Sequence, residues 1–317
     1  MDSSQTPAVI RKAVVALRQE ETKFTTEVRR YSTDPQPGCP FLVDRDVAWK
    51  SAHHKYRTSR QKLWKETIRH AELMSENVVD HVRAVRRLLA VEDSSESPPL
   101  FAHMTAMRVA CEAAAQIAYL YDSSVSYEQR LLRGAVLLRD NAAHSAKAAN
   151  TVPSALSPLV QPGVAAAQRL PAKIADQITK AGIVEVLGGR GKTVTRLEIP
   201  NGAKEPAIVQ KSTLIKSAFA DRPGLFNYGS GVAHSMQWML GDAVVERVGT
   251  QTRLAPDVIG IGAATLSCIE ACGVVAATFA AYFGHDPLRA ERSRQTRHQA
   301  LTVWMQQHMV TTSHGAV

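Results

Sequence analysis

Cysteine is scarce in this chain. Four are present in 317 residues, Cys39, Cys111, Cys268 and Cys272, and no two are spaced C-x-x-C. A disulfide-stapled scaffold is excluded, and a zinc site would need more Cys or His at close spacing. Small, buried, reduced thiols are expected instead. The opening residues Met1 to Thr6 are polar and lead straight into a charged amphipathic stretch. No basic segment followed by an apolar one is found there, so no secretory signal is expected and a cytoplasmic location is. Aromatic residues make up only 6% of the chain and no internal repeat of fixed period occurs. Acidic residues are the minority, 29 Asp plus Glu against 38 Lys plus Arg, and the resulting +9 permits an acidic partner without demanding one. The hydrophobic share of 45% and charged share of 21% describe an ordinary globular protein long enough for one large domain or two modest ones.

Two catalytic signatures fall short. Gly191-Lys192-Thr193 follows the apolar Ile183 to Val186, as in a phosphate-binding loop, but Val186 stands where that loop needs its first glycine. Val194 to Ile199 then reads as a strand, so no helix N-terminus is aimed at a phosphate and a β-hairpin turn is expected. Ser230 and His234 share one helix without a G-x-S-x-G elbow, which is not a hydrolase arrangement.

What is abundant is helix. Ile10, Leu17, Phe24 and Tyr31 recur every seven residues, and Trp49, Tyr56 and Leu63 do the same, the spacing of partner-facing seams. Helices are predicted from Pro7, over about 46–91 with one interruption, and over 100–121, 126–150 and 164–180. Further helices are expected near Val209, over 228–240, over 258–283 and over 287–309. Val258 to Phe283 is apolar with Glu270 as its only charge. At about 1.5 Å per residue it is long enough to cross a bilayer. A central carboxylate is costly there, however, and an all-round apolar helix equally suits the middle of a bundle. A core helix is the expectation, with no membrane partner. β-Branched runs predict a hairpin over 183–199 and a second small one over 244–254. The fold class expected is mainly α: a multi-helix bundle with one or two small β-hairpin insertions. Residues 1–92 are expected to form an N-terminal helical extension with a dimerisation seam and a basic surface, and 93–317 the main bundle.

Arg139-Asp140-Asn141-Ala142-Ala143-His144 sets an arginine and a histidine on one helix. It resembles the R-x4-H motif of the HEPN ribonuclease superfamily. That resemblance implies Arg139 and His144 as catalytic residues, the His moving protons and the Arg holding phosphate oxygen. A second Arg-to-His spacing, Arg292 to His298, also fits, and the plain alternative is an exposed polar face. Arg108-Val-Ala-Cys-Glu112 places cation and carboxylate on one face of an apolar helix. Ser230-Gly-Val-Ala-His234, preceded by Tyr228, stands on a later one. These residues, with Tyr119 to Asp122 and Glu128 to Arg130, are similar to a group of largely actinobacterial helical proteins that carry R-x-x-x-E and Y-x-S-x-x-x-H. The likeness runs over about 100–240 and implies a HEPN-like bundle without assigning an activity. Glu112, among alanines, needs a partner if buried, and Arg108, Arg130 and His234 are the candidates. Arg108, Glu112, Arg130, Tyr228, Ser230 and His234 are therefore expected to form a polar cluster that fixes helix packing.

A basic stretch completes the inventory: Lys50, Lys55, Arg57, Arg60, Lys62, Lys65 and Arg69, interleaved with Trp49, Tyr56 and Trp64. Phosphate contacts with base stacking need this mixture, although a buried seam flanked by solvated lysines has the same pattern. Glu66, His70, Asn77 and His81 share a helix face, but the spacing is Glu-x-x-x-His and no second copy exists, so no metal and no cofactor is expected. The expected function is a HEPN-like binding or assembly module that is a homo-oligomer and takes RNA as a candidate partner. A metal-independent ribonuclease using Arg139 and His144 is the alternative.

Overall fold

The computed structural model describes residues 6–50, 54–90, 98–153, 160–189, 193–222, 224–236, 244–248, 251–255 and 258–313. The protein is mainly α with small β insertions. Its described helices are α1 (Thr6–Thr33), α2 (Pro40–Lys50), α3 (His54–Leu89), α4 (Ala102–Leu120), α5 (Tyr127–Ala149), α6 (Gln161–Lys180), α7 (Lys211–Ala218), α8 (Leu225–Ala233), α9 (Val258–Tyr282) and α10 (Pro287–Ser313). Strands β1 (Val184–Leu187), β2 (Val194–Glu198) and β3 (Lys204–Pro206) form one antiparallel sheet, and β4 (Val244–Val248) with β5 (Gln251–Ala255) a second.

Packing divides these elements into two compact units, each assembled from separated segments. One comprises residues 1–36, 74–118 and 211–317, the other 37–73 and 119–210. Helix α3 contributes its N-terminal half to the second unit and its C-terminal half to the first, so a linear boundary at 92/93 has no counterpart in this grouping.

In the first unit α1 lies along α9 and α9 along α10. Leu17, Phe24 and Tyr31, three members of the seven-residue series, are all buried, and Ala16 packs on Leu266, Ile269 and Leu301. The chain's own helices thus cover the α1 seam, one of the two on which dimerisation is expected; in the other Leu63 is buried and Trp49 is partly exposed. Helix α9 is apolar on every side and buries Ile261, Cys268, Cys272, Val275 and Phe279. It is the one helix among the described residues long and apolar enough to cross a membrane, and 67% of its most apolar window is buried inside the chain. All four cysteines are buried and unpaired. Desolvation pushes the Cys268 thiol up to about 12, so it stays protonated and unreactive.

In the second unit α5 packs against α6. Ser126 caps α5, its hydroxyl accepting the Gln129 N–H at 3.2 Å. Leu63, Leu132, Ala135, Ile178, Ile183 and Leu197 join the helices to the sheet in one apolar core. β1 and β2 pair with Val184 opposite Glu198, with an irregularity after Val186, and the Gly188 N–H closes the connection to the Thr193 carbonyl at 2.8 Å. Gly191 and Lys192, the centre of the rejected phosphate-loop reading, lie outside the described residues. β3 adds a third strand where the sequence suggested only a hairpin.

Candidate functional site

Arg139 and His144 both stand on α5, five residues apart, so their side chains diverge by roughly 140° around the helix. The Arg139 side chain is 33% exposed and paired to Glu185 of β1 at 3.3 Å. His144 is 68% exposed, with Asp140 at 3.6 Å. Within the chain the two do not converge on a common cleft. The other spacing separates likewise: Arg292 reaches toward Asp286 at 3.9 Å, whereas His298 is contacted by Arg222.

The expected polar cluster divides into two. Arg130 is buried and makes a two-pronged contact with the buried carboxylate of Asp44, at 2.7 and 2.6 Å, while also donating to the Asp122 and Val125 carbonyls. Glu112 is partnered in the first unit, by Lys211 at 2.7 Å and Arg108 at 4.0 Å. The helices carrying the two short motifs do meet. The Gly229 backbone sits so close to Arg108 that an added Cβ would come within 2.7 Å of the Arg108 Cβ, and Val232 packs on Met104 and Phe101. Ser230 accepts the His234 backbone N–H through its carbonyl, and His234 is exposed. The Tyr228 side chain lies outside the described residues.

The basic stretch keeps most of its surface. Lys55, Lys62, Lys65 and Arg69 are exposed and fall within about 80° of one another around α3. Lys50, at the end of α2, is exposed and pairs with Asp46 at 2.8 Å. Trp49 is 40% exposed and carries the Lys65 ammonium over its ring at 5.2 Å. Arg57 is half-buried. Arg60 leaves the surface altogether: it is buried, donates to the Ala181 carbonyl at 2.9 Å and lies over the Tyr56 ring. Trp64 is likewise core, packed on Phe41 and edge-on to Trp49. Of the metal-face residues, His81 Nδ1 lies 2.9 Å from the carbonyl of Asn77, and burial lowers the pKa of His70. Among the described residues no group of three or more His, Cys, Asp or Glu is placed to hold a metal.

Between one face of α9 and one face of α10, beside the end of α7, the first unit holds a solvent-open cavity of about 710 Å³ that no local spacing announces. Helix α9 supplies Glu270, Val274 and Ala277, and α10 supplies Glu291, Gln295 and His298. Phe219 and Asp221 come from the turn after α7. Two of the lining residues share one partner: Arg222 Nε pairs with Glu270 Oε2 at 2.5 Å and the same guanidinium donates to His298 Nε2. That contact fixes Nε2 as acceptor and puts the ring proton on Nδ1. Burial first, and the Arg222 charge second, lower the pKa of His298. Burial raises the pKa of Glu270 above the ordinary carboxylate value, Asp221 adds to that, and Arg222 only partly offsets it. Arg294 also lines the cavity; it is buried and held by Glu20 at 2.8 Å and Glu27 at 2.7 Å. The spacing 291, 294, 295, 298, 299 on α10 is a polar helical face and was readable in advance, as was the lone charge of α9. Nothing local marks Arg222.

Comparison with protein-family models, with curated proteins and with solved structures finds no match to the chain.

Proposed function

We propose that the protein is a HEPN-like helical binding module that takes single-stranded RNA on the basic face of α2 and α3 and performs no cleavage of its own. The observation that carries this reading is the surface on which Lys55, Lys62, Lys65 and Arg69 share one exposed helix face beside a partly exposed Trp49. Cations at that density neutralise phosphates, and an exposed indole offers a stacking platform that tolerates any base. The withdrawal of Arg60 leaves this face intact because the remaining cations are solvated. Catalysis through Arg139 and His144 is the weaker reading, since one is tied to Glu185 and the other points into solvent.

The test is fluorescence anisotropy of a labelled oligouridine RNA over a salt series, with gel analysis of the same RNA. Binding should weaken steeply with salt, and each of Lys62→Ala and Lys65→Ala should lower the slope by about one. Trp49→Ala should weaken binding with the salt slope unchanged, by roughly 1–3 kcal/mol if one base stacks there. Intact RNA is expected with the wild type and with His144→Ala alike. Cleavage that disappears in His144→Ala would sink the non-catalytic reading, and salt-insensitive or absent binding would sink the RNA surface.

A further inference from the structure

We propose that the cavity between α9 and α10 binds an aliphatic diamine or polyamine. This site is separate from the basic face, lies wholly in the other compact unit, and does not rest on the RNA reading. Its volume is that of a small-molecule pocket, and its shape follows from sequence: Ala277 on α9 leaves room opposite the longer side chains of α10, while Arg294 lies against Gly273. Ala118, Phe219, Ile269, Val274 and Ala277 make an apolar wall suited to a methylene chain.

The charges choose the sign of the ligand. Both guanidiniums near the cavity already face carboxylates, Arg222 with Glu270 and Arg294 with Glu20 and Glu27. His298 accepts a hydrogen bond from Arg222, which holds it neutral, so among the described residues an anion entering here meets no uncommitted cation. Asp221 and Glu291 are exposed at the rim, and no described cation lies within ion-pair distance of either. Glu291 accepts the Gln295 amide at 2.9 Å. Asp221 also faces Glu270 closely enough to disfavour its ionisation. An acidic, apolar-walled cavity in a chain of net charge +9 selects against the protein's own electrostatic trend. Ser217, Thr278, Gln295 and Gln299 supply acceptors for the remaining ammonium protons. A short aliphatic chain with an ammonium at each end brings a cation to the exposed carboxylates and methylenes to the apolar wall.

Calorimetric titration of the full chain with three four-carbon probes tests this: 1,4-diaminobutane, 1,4-butanediol and succinate. Saturable binding of the diamine alone is expected. Asp221→Asn and Glu291→Gln, both at exposed positions that leave the fold undisturbed, should each weaken it roughly three- to fivefold. Ala277→Phe, which fills the cavity, should abolish it, with circular dichroism confirming that the variant folds. Succinate or the diol binding as well as the diamine would overturn the proposal. So would failure of the diamine to bind, or diamine binding that survives both Ala277→Phe and the combined rim substitutions.

Discussion

Arg294 illustrates how much one buried side chain carries. It lies within the first unit with one carboxylate, Glu20, fully buried beside it and a second, Glu27, at hydrogen-bond distance. Burial alone would favour its neutral form, but the two carboxylates prevail and raise its pKa. Arg294→Met therefore removes a charged partner from buried Glu20 and from Glu27 together, and should cost about 3–5 kcal/mol in urea unfolding, most of it recovered in the Glu20→Gln/Arg294→Met double variant. A single-variant loss below 1 kcal/mol would contradict this account. His298 gives a pH signature of definite sign. Its folded pKa lies below the ordinary 6.5, so the unfolded chain binds the proton first. Stability contributed by neutral His298 is present above pH 6.5 and is lost as pH falls from 6.5 toward the lowered folded value. Glu270 acts in the opposite direction, because its raised pKa makes the folded state the better proton acceptor. Comparing wild type with His298→Gln isolates the first effect: the drop in urea midpoint between pH 7.5 and 5.5 should be smaller in the variant.

Helix crossings are set by small residues as much as by large ones. Gly134 on α5 faces Thr67 on α3 so closely that a Cβ would come within 2.3 Å of the Thr67 Oγ1. Thr67 is buried and its hydroxyl is bonded to the Leu63 carbonyl at 2.9 Å, so it has nowhere to turn. Gly134→Ala should destabilise the protein by roughly 1–3 kcal/mol through overpacking, despite the better helix propensity of alanine. Adding Thr67→Ala should recover part of the loss, a non-additivity measurable in a double-mutant cycle. Elements of this kind were legible from sequence as elements. The apolar run of α9, the Ser126 cap of α5 and the strands flanking Gly188 each announce themselves within a dozen residues. What they touch is another matter. Asp44 and Arg130 are 86 positions apart, and Glu20 and Arg294 are 274 apart, so no local spacing could have matched them. For the same reason Arg130 was grouped with Glu112, which instead found Lys211. The seam of α1 was legible as a buried face, but periodicity does not say whether the covering helix belongs to the same chain. Here it is α9.

Over the whole molecule, the consequence is that the chain cannot be cut where its sequence suggests. A break at 92/93 falls in a polar, proline-ended stretch, the usual mark of a domain boundary. Yet the first unit needs α1 and the end of α3 from one side of that break, and α4 and α7–α10 from the other. Without residues 1–36 the apolar α9 loses the helix that lies along it. The buried Arg294 would also lose Glu20 and Glu27 at once. In the second unit α2 and the N-terminal half of α3 supply Ala48, Leu63 and Trp64 to a core whose other buried members come from residues after 119, and Asp44 of α2 neutralises Arg130. A 93–317 fragment should therefore expose α9 and aggregate or bind hydrophobic dye, and a 1–92 fragment should be a loosely ordered helical chain. Mixing the two during refolding should restore the far-ultraviolet and near-ultraviolet circular dichroism of the intact protein, because every missing partner is then present. A 93–317 fragment that instead unfolds cooperatively on its own, with a denaturant midpoint near that of the full chain, would show that the interleaved packing of α1 and α3 is dispensable. Two units built from separated segments would be ruled out with it.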